Sequence, residues 1–122
     1  MGPSLLIVED LPDVGRSYLR ALRRYAIDEV RLATTAEEAE QLLAHAGPTL
    51  VMCDHWLGEG QPSGAELLRR WRRSYPQIAK AILVTGADSV IERESPGVDA
   101  VFEKPPDLGA IAGFLGLQRK PR

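Results

Sequence analysis

The sequence carries a small set of charged and hydroxyl side chains whose types suit phosphoryl-transfer chemistry. They are an acidic pair, Glu9 and Asp10, a third carboxylate at Asp54, a hydroxyl at Thr85 and an ammonium group at Lys104. Three carboxylates close together repel one another unless a cation neutralises them, and Mg²⁺, which prefers oxygen ligands, is the simplest such cation. A lysine and a hydroxyl can hold the remaining oxygens of a phosphoryl group, while a central carboxylate can act as the nucleophile. These residue types predict phosphoryl transfer onto Asp54.

This chemistry requires the chain to bring together residues that are far apart in sequence, and most of them follow a short apolar run. We predict these runs as strands, and they are Leu5–Val8, Thr49–Cys53, Ala81–Val84 and Ala100–Phe102. Continuous apolar runs indicate strands that are buried on both faces of a sheet. A weaker strand is predicted over 29–33, where apolar and charged residues alternate as they do in an edge strand.

The stretches between the predicted strands have the period of amphipathic helices. Pro12 suits the first position of a helix, and Thr35 and Ser63 each begin a capping-box pattern that satisfies the free amides of a first turn. A last, weaker helix is predicted over 108–115, because its glycines lower helix stability. Strands and helices thus alternate, which predicts an α/β fold: a doubly wound sandwich with a parallel sheet between two layers of helices.

Ligands of such open sheets bind beyond the carboxyl ends of the strands. The five side chains named above lie at strand ends of this kind, so the predicted fold brings them to one edge of the sheet. The arrangement of strands therefore supports the chemistry that the residue types suggest.

In this order and at these strand ends, the residues resemble the signature of a response-regulator receiver domain, over residues 5–115. The resemblance implies a flavodoxin-like (βα)5 fold with a five-stranded parallel sheet of order 2-1-3-4-5. It implies that Asp54 is the phosphoacceptor and that Thr85 and Lys104 contact the phosphoryl group. The peptide bond between Lys104 and Pro105 is expected to be cis, as is typical of the family.

The same resemblance implies how the metal ion is held. Asp10 and Asp54 would bind Mg²⁺ directly, together with the backbone carbonyl of Trp56, and Glu9 would act through water. Mg²⁺ is thus the expected cofactor of this domain.

Four features depart from the usual pattern of that family. The family's switch aromatic usually lies three residues before the lysine, where this chain has Val101; strand alternation places Phe102 on the opposite face. The segment 88–96 leaves room for a shortened fourth helix at best, because Pro96 would end it. The loop 58–63 after the acceptor is long and rich in glycine, and Trp56 is a bulky residue two positions after the acceptor.

The composition indicates one ordinary globular domain. The 122 residues are 44% hydrophobic and 26% charged with a net charge of −2, so we interpret 1–122 as a single domain with a core over 4–116 and short tails at 1–3 and 118–122. This composition excludes a disordered chain and argues against a nucleic-acid partner. The lone Cys53 cannot form an internal disulfide, and the apolar runs are far shorter than the roughly 20 residues of a membrane-spanning helix. We therefore predict a cytoplasmic protein with no membrane partner.

The resemblance implies a role in two-component signalling. A sensor histidine kinase or a histidine phosphotransfer protein would phosphorylate Asp54, and the resulting conformational shift would be read by an unidentified downstream protein. The domain would catalyse its own phosphorylation and dephosphorylation, so we do not expect an enzyme with a separate substrate. Two helices are rich in arginine; a solvated face is the simpler interpretation of both, and docking of an acidic phosphodonor partner is the alternative for the first helix. The arginines are Arg16, Arg20, Arg23 and Arg24 on the first helix and Arg69, Arg70, Arg72 and Arg73 on the third.

Two other functions remain open. A phosphorylation-independent protein-interaction module with a receiver fold is favoured by the shortened fourth helix and by Val101, whereas the intact acidic residues argue against it. A phosphatase of the haloacid-dehalogenase type would need an aspartate where Trp56 stands. A flavin-binding protein of similar topology would need a phosphate-binding loop where Asp10 stands.

Overall fold

The chain folds into a parallel sheet flanked by helices on both faces. The computed structural model describes residues 3–47, 49–86 and 95–121. Within these ranges there are five strands and four helices, in an order that alternates strand and helix up to the fourth strand. They are β1 (Ser4–Val8), α1 (Pro12–Leu22), β2 (Glu29–Ala33), α2 (Ala36–Ala44), β3 (Thr49–Asp54), α3 (Gly64–Ser74), β4 (Ile78–Thr85), β5 (Ala100–Glu103) and α4 (Leu108–Phe114).

The sheet has the strand order β2-β1-β3-β4-β5 with every pair parallel, which confirms the predicted fold class and strand order. β1 lies between β2 and β3, so Ser4 is level with both Glu29 and Thr49. Because neighbouring strands are parallel, their carboxyl ends reach the same edge of the sheet, and the register between β3 and β4 shifts only at their start, between Thr49 and Leu50. The helix predicted over 88–96 falls mostly outside the described residues.

Alternate residues of the strands build two separate cores, as the pleat of a strand requires. Leu6, Val51 and Leu83 pack under α2 and α3, whereas Met52 and Ile82 pack under α1 and α4. Every residue of β3 is buried, which explains why the four residues between Thr49 and Asp54 are all apolar. The central strand thus places that carboxylate at the edge of a rigid core.

The predicted helix starts are confirmed by their caps. The hydroxyl of Thr35 accepts a hydrogen bond from the amide of Glu38, and that of Ser63 accepts one from the amide of Glu66. Pro12 is the first residue of α1, where its missing amide proton costs nothing. Among the described residues, no helix has the length and apolar character needed to cross a membrane.

Two expectations differ from the structure at the ends of elements. β4 begins at Ile78, three residues before the predicted start, because Ile78 is buried and pairs with Thr49 at the entry of β3. The expected C-terminal tail is wrong for residues 118–120, which run antiparallel to the segment after α1. Gly116 has a φ of +75°, a conformation that favours glycine, and there the chain turns back from α4.

Candidate functional site

The predicted site residues gather at the carboxyl edge of the sheet. Glu9 and Asp10 directly follow β1, Asp54 ends β3, Thr85 ends β4, and Lys104 directly follows β5. The amide of Lys104 donates a hydrogen bond to the carbonyl of Thr85 at 2.8 Å, so the lysine is held against the end of β4.

Three carboxylates form a cluster that we call the acidic pocket: Glu9, Asp10 and Asp54. Each offers an oxygen within 4.8 Å of the oxygens offered by the other two. Glu9 is 1% exposed and Asp54 is 4% exposed, whereas Asp10 is half-buried. Such a buried group of like charges is expensive unless a cation is present.

Lys104 supplies positive charge to the acidic pocket. Its Nζ lies 2.7 Å from Oδ1 of Asp54 and 3.9 Å from Oε2 of Glu9. Partial burial acts to lower the pKa of Lys104, but the hydrogen bond to Asp54 and the charges of Asp54 and Glu9 outweigh it and raise that pKa. Lys104 is therefore a cation fixed against Asp54.

Glu9 lacks an equivalent partner. Its two carboxylate oxygens are buried, and within the described residues no donor makes a hydrogen bond to either. Burial, followed by the charge of Asp54, raises the pKa of Glu9 to about 8. The donor set fits a small divalent cation: three carboxylates offer hard oxygen ligands, and the buried oxygens of Glu9 face only the more distant charge of Lys104, 3.9 Å away.

The loop after Asp54 is closed tightly beneath the acidic pocket. The amide of His55 donates to the carbonyl of Val84, and the carbonyl of His55 accepts from the amide of Gly64, both at 2.8 Å. A Cβ atom at Gly64 would lie 2.3 Å from the carbonyl oxygen of Asp54, far inside contact distance. Gly64 is a residue of the site that the sequence pattern does not predict, although its place directly after the capping Ser63 indicates a helix that begins close to the acceptor.

The remaining predicted site residues lie beside the pocket. Thr85 is buried at the end of β4. Trp56 is 67% exposed and lies in the loop between β3 and α3. The roles of the Thr85 hydroxyl and the Trp56 carbonyl stay predictions. The peptide bond between Lys104 and Pro105 is cis, as expected.

The alternation predicted for β5 is confirmed. Val101 packs against the core under α2 and α3, whereas Phe102 packs against the core under α1 and α4. The ring of Phe102 meets that of Phe114 edge-to-face, with centroids 6.3 Å apart and an angle of 71° between the rings. The aromatic residue of β5 is thus held by α4.

Comparisons with known proteins agree with this arrangement. The profile of the response regulator receiver domain matches residues 5–113. The methanol utilization control regulatory protein MoxX of Paracoccus denitrificans is 29% identical over 105 residues, which covers 75% of this chain and 47% of MoxX. The chain therefore spans about half the length of this curated relative.

Solved structures share the fold. A CheY-like response regulator receiver domain protein from Methanospirillum hungatei JF-1 has a TM-score of 0.82 at 26% identity, covering 95% of this chain and 92% of that one. The signal receiver domain of an HD domain-containing protein from Pseudomonas fluorescens Pf-5 has a TM-score of 0.82 at 23% identity, covering 95% and 93%. With the family profile matching nearly the whole chain, the protein belongs to the receiver domains of response regulators, the family of two-component signalling.

Proposed function

We propose that Asp54 accepts a phosphoryl group from a histidine kinase or a histidine phosphotransfer protein in the presence of Mg²⁺. The observation that carries this proposal is the charge arrangement of the acidic pocket. Asp54 is paired with Lys104 at 2.7 Å, while the buried oxygens of Glu9 have no hydrogen-bond donor among the described residues. The pocket is therefore short of positive charge beside a carboxylate that can act as a nucleophile.

Different residues of the site would bind the metal ion and the phosphoryl group. Asp10 and Asp54 would hold Mg²⁺ with the carbonyl of Trp56, and Glu9 would contribute through water. When bound, Mg²⁺ supplies positive charge against the phosphoryl oxygens. The half-buried position of Asp10 leaves that side of the pocket open to solvent and to a donor.

The transfer step itself is a displacement at phosphorus. An oxygen of Asp54 forms the new P–O bond, the P–N bond to the donor imidazole breaks, and the electron pair of that bond returns to the imidazole nitrogen. Lys104 exchanges its contact with Asp54 for a phosphoryl oxygen, and Thr85 contacts another oxygen. Water later hydrolyses the acyl phosphate, so the domain acts on its own aspartate rather than on a separate substrate.

The phosphorylated domain would signal by a shift in conformation that a downstream protein reads. Lys104 would couple phosphorylation of Asp54 to the shift in conformation, because its amide is bonded to the end of β4 and its side chain contacts Asp54. Phosphorylation of Asp54 would therefore act directly on the position of the ends of β4 and β5.

The test is the intact mass of the protein after incubation with acetyl phosphate and MgCl₂. We expect a gain of one phosphoryl group, which is lost when EDTA replaces Mg²⁺ and absent from Asp54→Asn. Asp13→Asn is the matched control, because Asp13 is an exposed carboxylate of α1 paired with Arg16. Phosphorylation that persists in Asp54→Asn would exclude Asp54 as the acceptor. No gain from acetyl phosphate, together with no Mg²⁺-dependent spectral change on adding beryllofluoride, would favour the phosphorylation-independent interaction module.

A further inference from the structure

The C-terminal segment is tied to the end of α1. We call residues 117–120 the strap. The amide of Lys120 donates to the carbonyl of Arg24 at 2.9 Å, and the amide of Ala26 donates to the carbonyl of Gln118 at 2.7 Å. Leu117 is buried in the core under α1 and α4, so the strap is anchored at its start as well.

The strap gathers positive charge at this end of the molecule. Five exposed cations, which we call the basic patch, lie in the last turn of α1, in the two residues that follow this helix and in the strap. No ion pair within the described residues joins any of them to a carboxylate, in contrast to Arg70 with Glu40 and Arg72 with Asp99. The members of the basic patch are Arg20, Arg23, Arg24, Arg119 and Lys120.

The backbone pairing places like charges against each other. Tyr25 and Arg119 are bridge partners in an antiparallel arrangement, so the next pair along is Arg24 and Lys120. Like charges directly opposite one another on antiparallel strands destabilise the pairing. The fold therefore holds together a group of cations that an anion from outside would stabilise.

The basic patch is well separated from the acidic pocket. α1 begins two residues after Asp10 and runs for 11 residues, a length of about 16 Å. The segment after α1 reaches the amino edge of the sheet, where the amide of Asp28 donates to the carbonyl of Pro3. A ligand of the patch would therefore not compete with a phosphoryl group on Asp54.

We propose that the basic patch, formed by the end of α1 together with the strap, is a docking surface for an acidic segment of a partner protein. Four of its five cations are arginines, whose planar guanidinium groups bind carboxylates through two parallel hydrogen bonds. The surface is distinct from the acidic pocket, and binding there does not require phosphorylation.

One observation favours an acidic protein over a nucleic acid as the ligand. Tyr25, the aromatic residue that the strap pairs with, is half-buried and offers little surface for stacking on bases.

The experiment measures binding of a fluorescein-labelled decaglutamate peptide by fluorescence anisotropy at low ionic strength. Arg24→Glu/Lys120→Glu reverses two charges of the patch. Arg69→Glu/Arg73→Glu reverses two exposed arginines of α3 and is the matched control, with the same change in net charge. We expect the patch variant to bind about tenfold more weakly than the wild type, and the control to bind as the wild type does. Circular dichroism and urea unfolding check that both variants are folded.

Three results would overturn the proposal. The first is no measurable binding of decaglutamate to the wild type. The second is an equal loss in the two variants, because the effect would then be one of net charge. The third is tighter binding of a ten-nucleotide single-stranded DNA than of decaglutamate through the same residues, which would make the patch a nucleic-acid surface.

Discussion

The acidic pocket and the basic patch are both clusters of like charge, but they differ in burial and in their contact with an opposite charge. In the pocket, Glu9 and Asp54 are almost fully buried, and Lys104 lies against Asp54. In the patch, Arg24 and Lys120 are exposed and are held together by backbone hydrogen bonds alone. The acidic pocket lies at the carboxyl ends of the strands, whereas the basic patch lies towards their amino ends.

Burial changes the electrostatic energy of a cluster of like charges. Exposed charges are screened by water and salt, so a group of arginines costs little and can accept many anions. Burial removes the hydration of a charged carboxylate, as the raised pKa of Glu9 indicates, so the energy of a buried carboxylate depends strongly on a nearby cation or proton. Substitutions at the acidic pocket should therefore have much larger effects than substitutions at the basic patch.

The largest effect is expected where the backbone approaches the acidic pocket. Gly64→Ala places a Cβ atom 2.3 Å from the carbonyl oxygen of Asp54 and 2.8 Å from Leu83. Relief requires the loop or α3 to move, so we expect a loss of about 3 kcal/mol in the free energy of unfolding, measured with urea. Gly113→Ala is the control, because no atom lies within 4 Å of its added Cβ; it should be neutral or stabilise α4 by up to about 1 kcal/mol. Equal urea midpoints for Gly64→Ala and the wild type would show that the close approach is not required.

Removing the lysine of the acidic pocket comes next. Lys104→Met leaves Asp54 and Glu9 without their nearest cation, so we expect the metal-free protein to lose about 2 kcal/mol of stability. Lys120→Met removes a cation from the basic patch and should change stability by less than about 0.5 kcal/mol. Thermal melts in EDTA compare the two variants. Similar losses in both would remove the distinction between the buried and the exposed cluster.

The third prediction concerns pH and Mg²⁺. The pKa of Glu9 is about 8 in the folded protein against 4.5 as its ordinary value, so the folded state keeps a proton that the unfolded chain releases. Stability of the metal-free protein should therefore fall as the pH rises from about 4.5 to about 8. Mg²⁺ requires the ionised pocket, so its stabilising effect should be larger at about pH 9 than at about pH 6.

Differential scanning fluorimetry with MgCl₂ or EDTA measures this effect, and Glu9→Gln should remove most of the pH dependence. Glu29→Gln is the matched control, because Glu29 is an exposed carboxylate of β2. A shift in the melting temperature on adding MgCl₂ that is the same at both pH values would argue against Glu9 as the proton-binding group of the pocket.

Much of the acidic pocket could be predicted from the sequence because the sequence shows where the strands end. Apolar runs identify the strands, and parallel strands in register bring the residues that follow them to one edge, as they do for Asp10 and Asp54. The opposite faces of Val101 and Phe102 follow from the same two-residue period. These features depend on local patterns that a single sequence contains.

The features that the sequence does not predict depend on contacts between distant segments, which the pattern of apolar and polar residues does not reveal. The close approach at Gly64 is set by the path of the loop after Asp54. The lack of a hydrogen-bond donor for the Glu9 carboxylate, as far as the described residues show, depends on which side chains reach it. The strap was missed because Gln118, Arg119 and Lys120 are polar and resemble a solvated tail. It pairs with the chain just after α1, more than 90 residues earlier in the sequence, and the apolar Leu117 is a local signal that the segment is anchored.

The smallest effect is expected at the basic patch and has the opposite sign. Arg24→Glu replaces a repulsive pair with an attractive one, because position 24 lies opposite Lys120 in the antiparallel pairing. Exposed ion pairs contribute little, so the free energy of unfolding should rise by about 0.3 kcal/mol, and the gain should shrink as salt screens the charges. Arg73→Glu on α3 makes the same change in net charge away from the strap and should give no such gain. Urea unfolding at low and high salt separates the two variants. A destabilised Arg24→Glu would mean that Arg24 already has a favourable partner, and the argument that the strap holds uncompensated positive charge would fail.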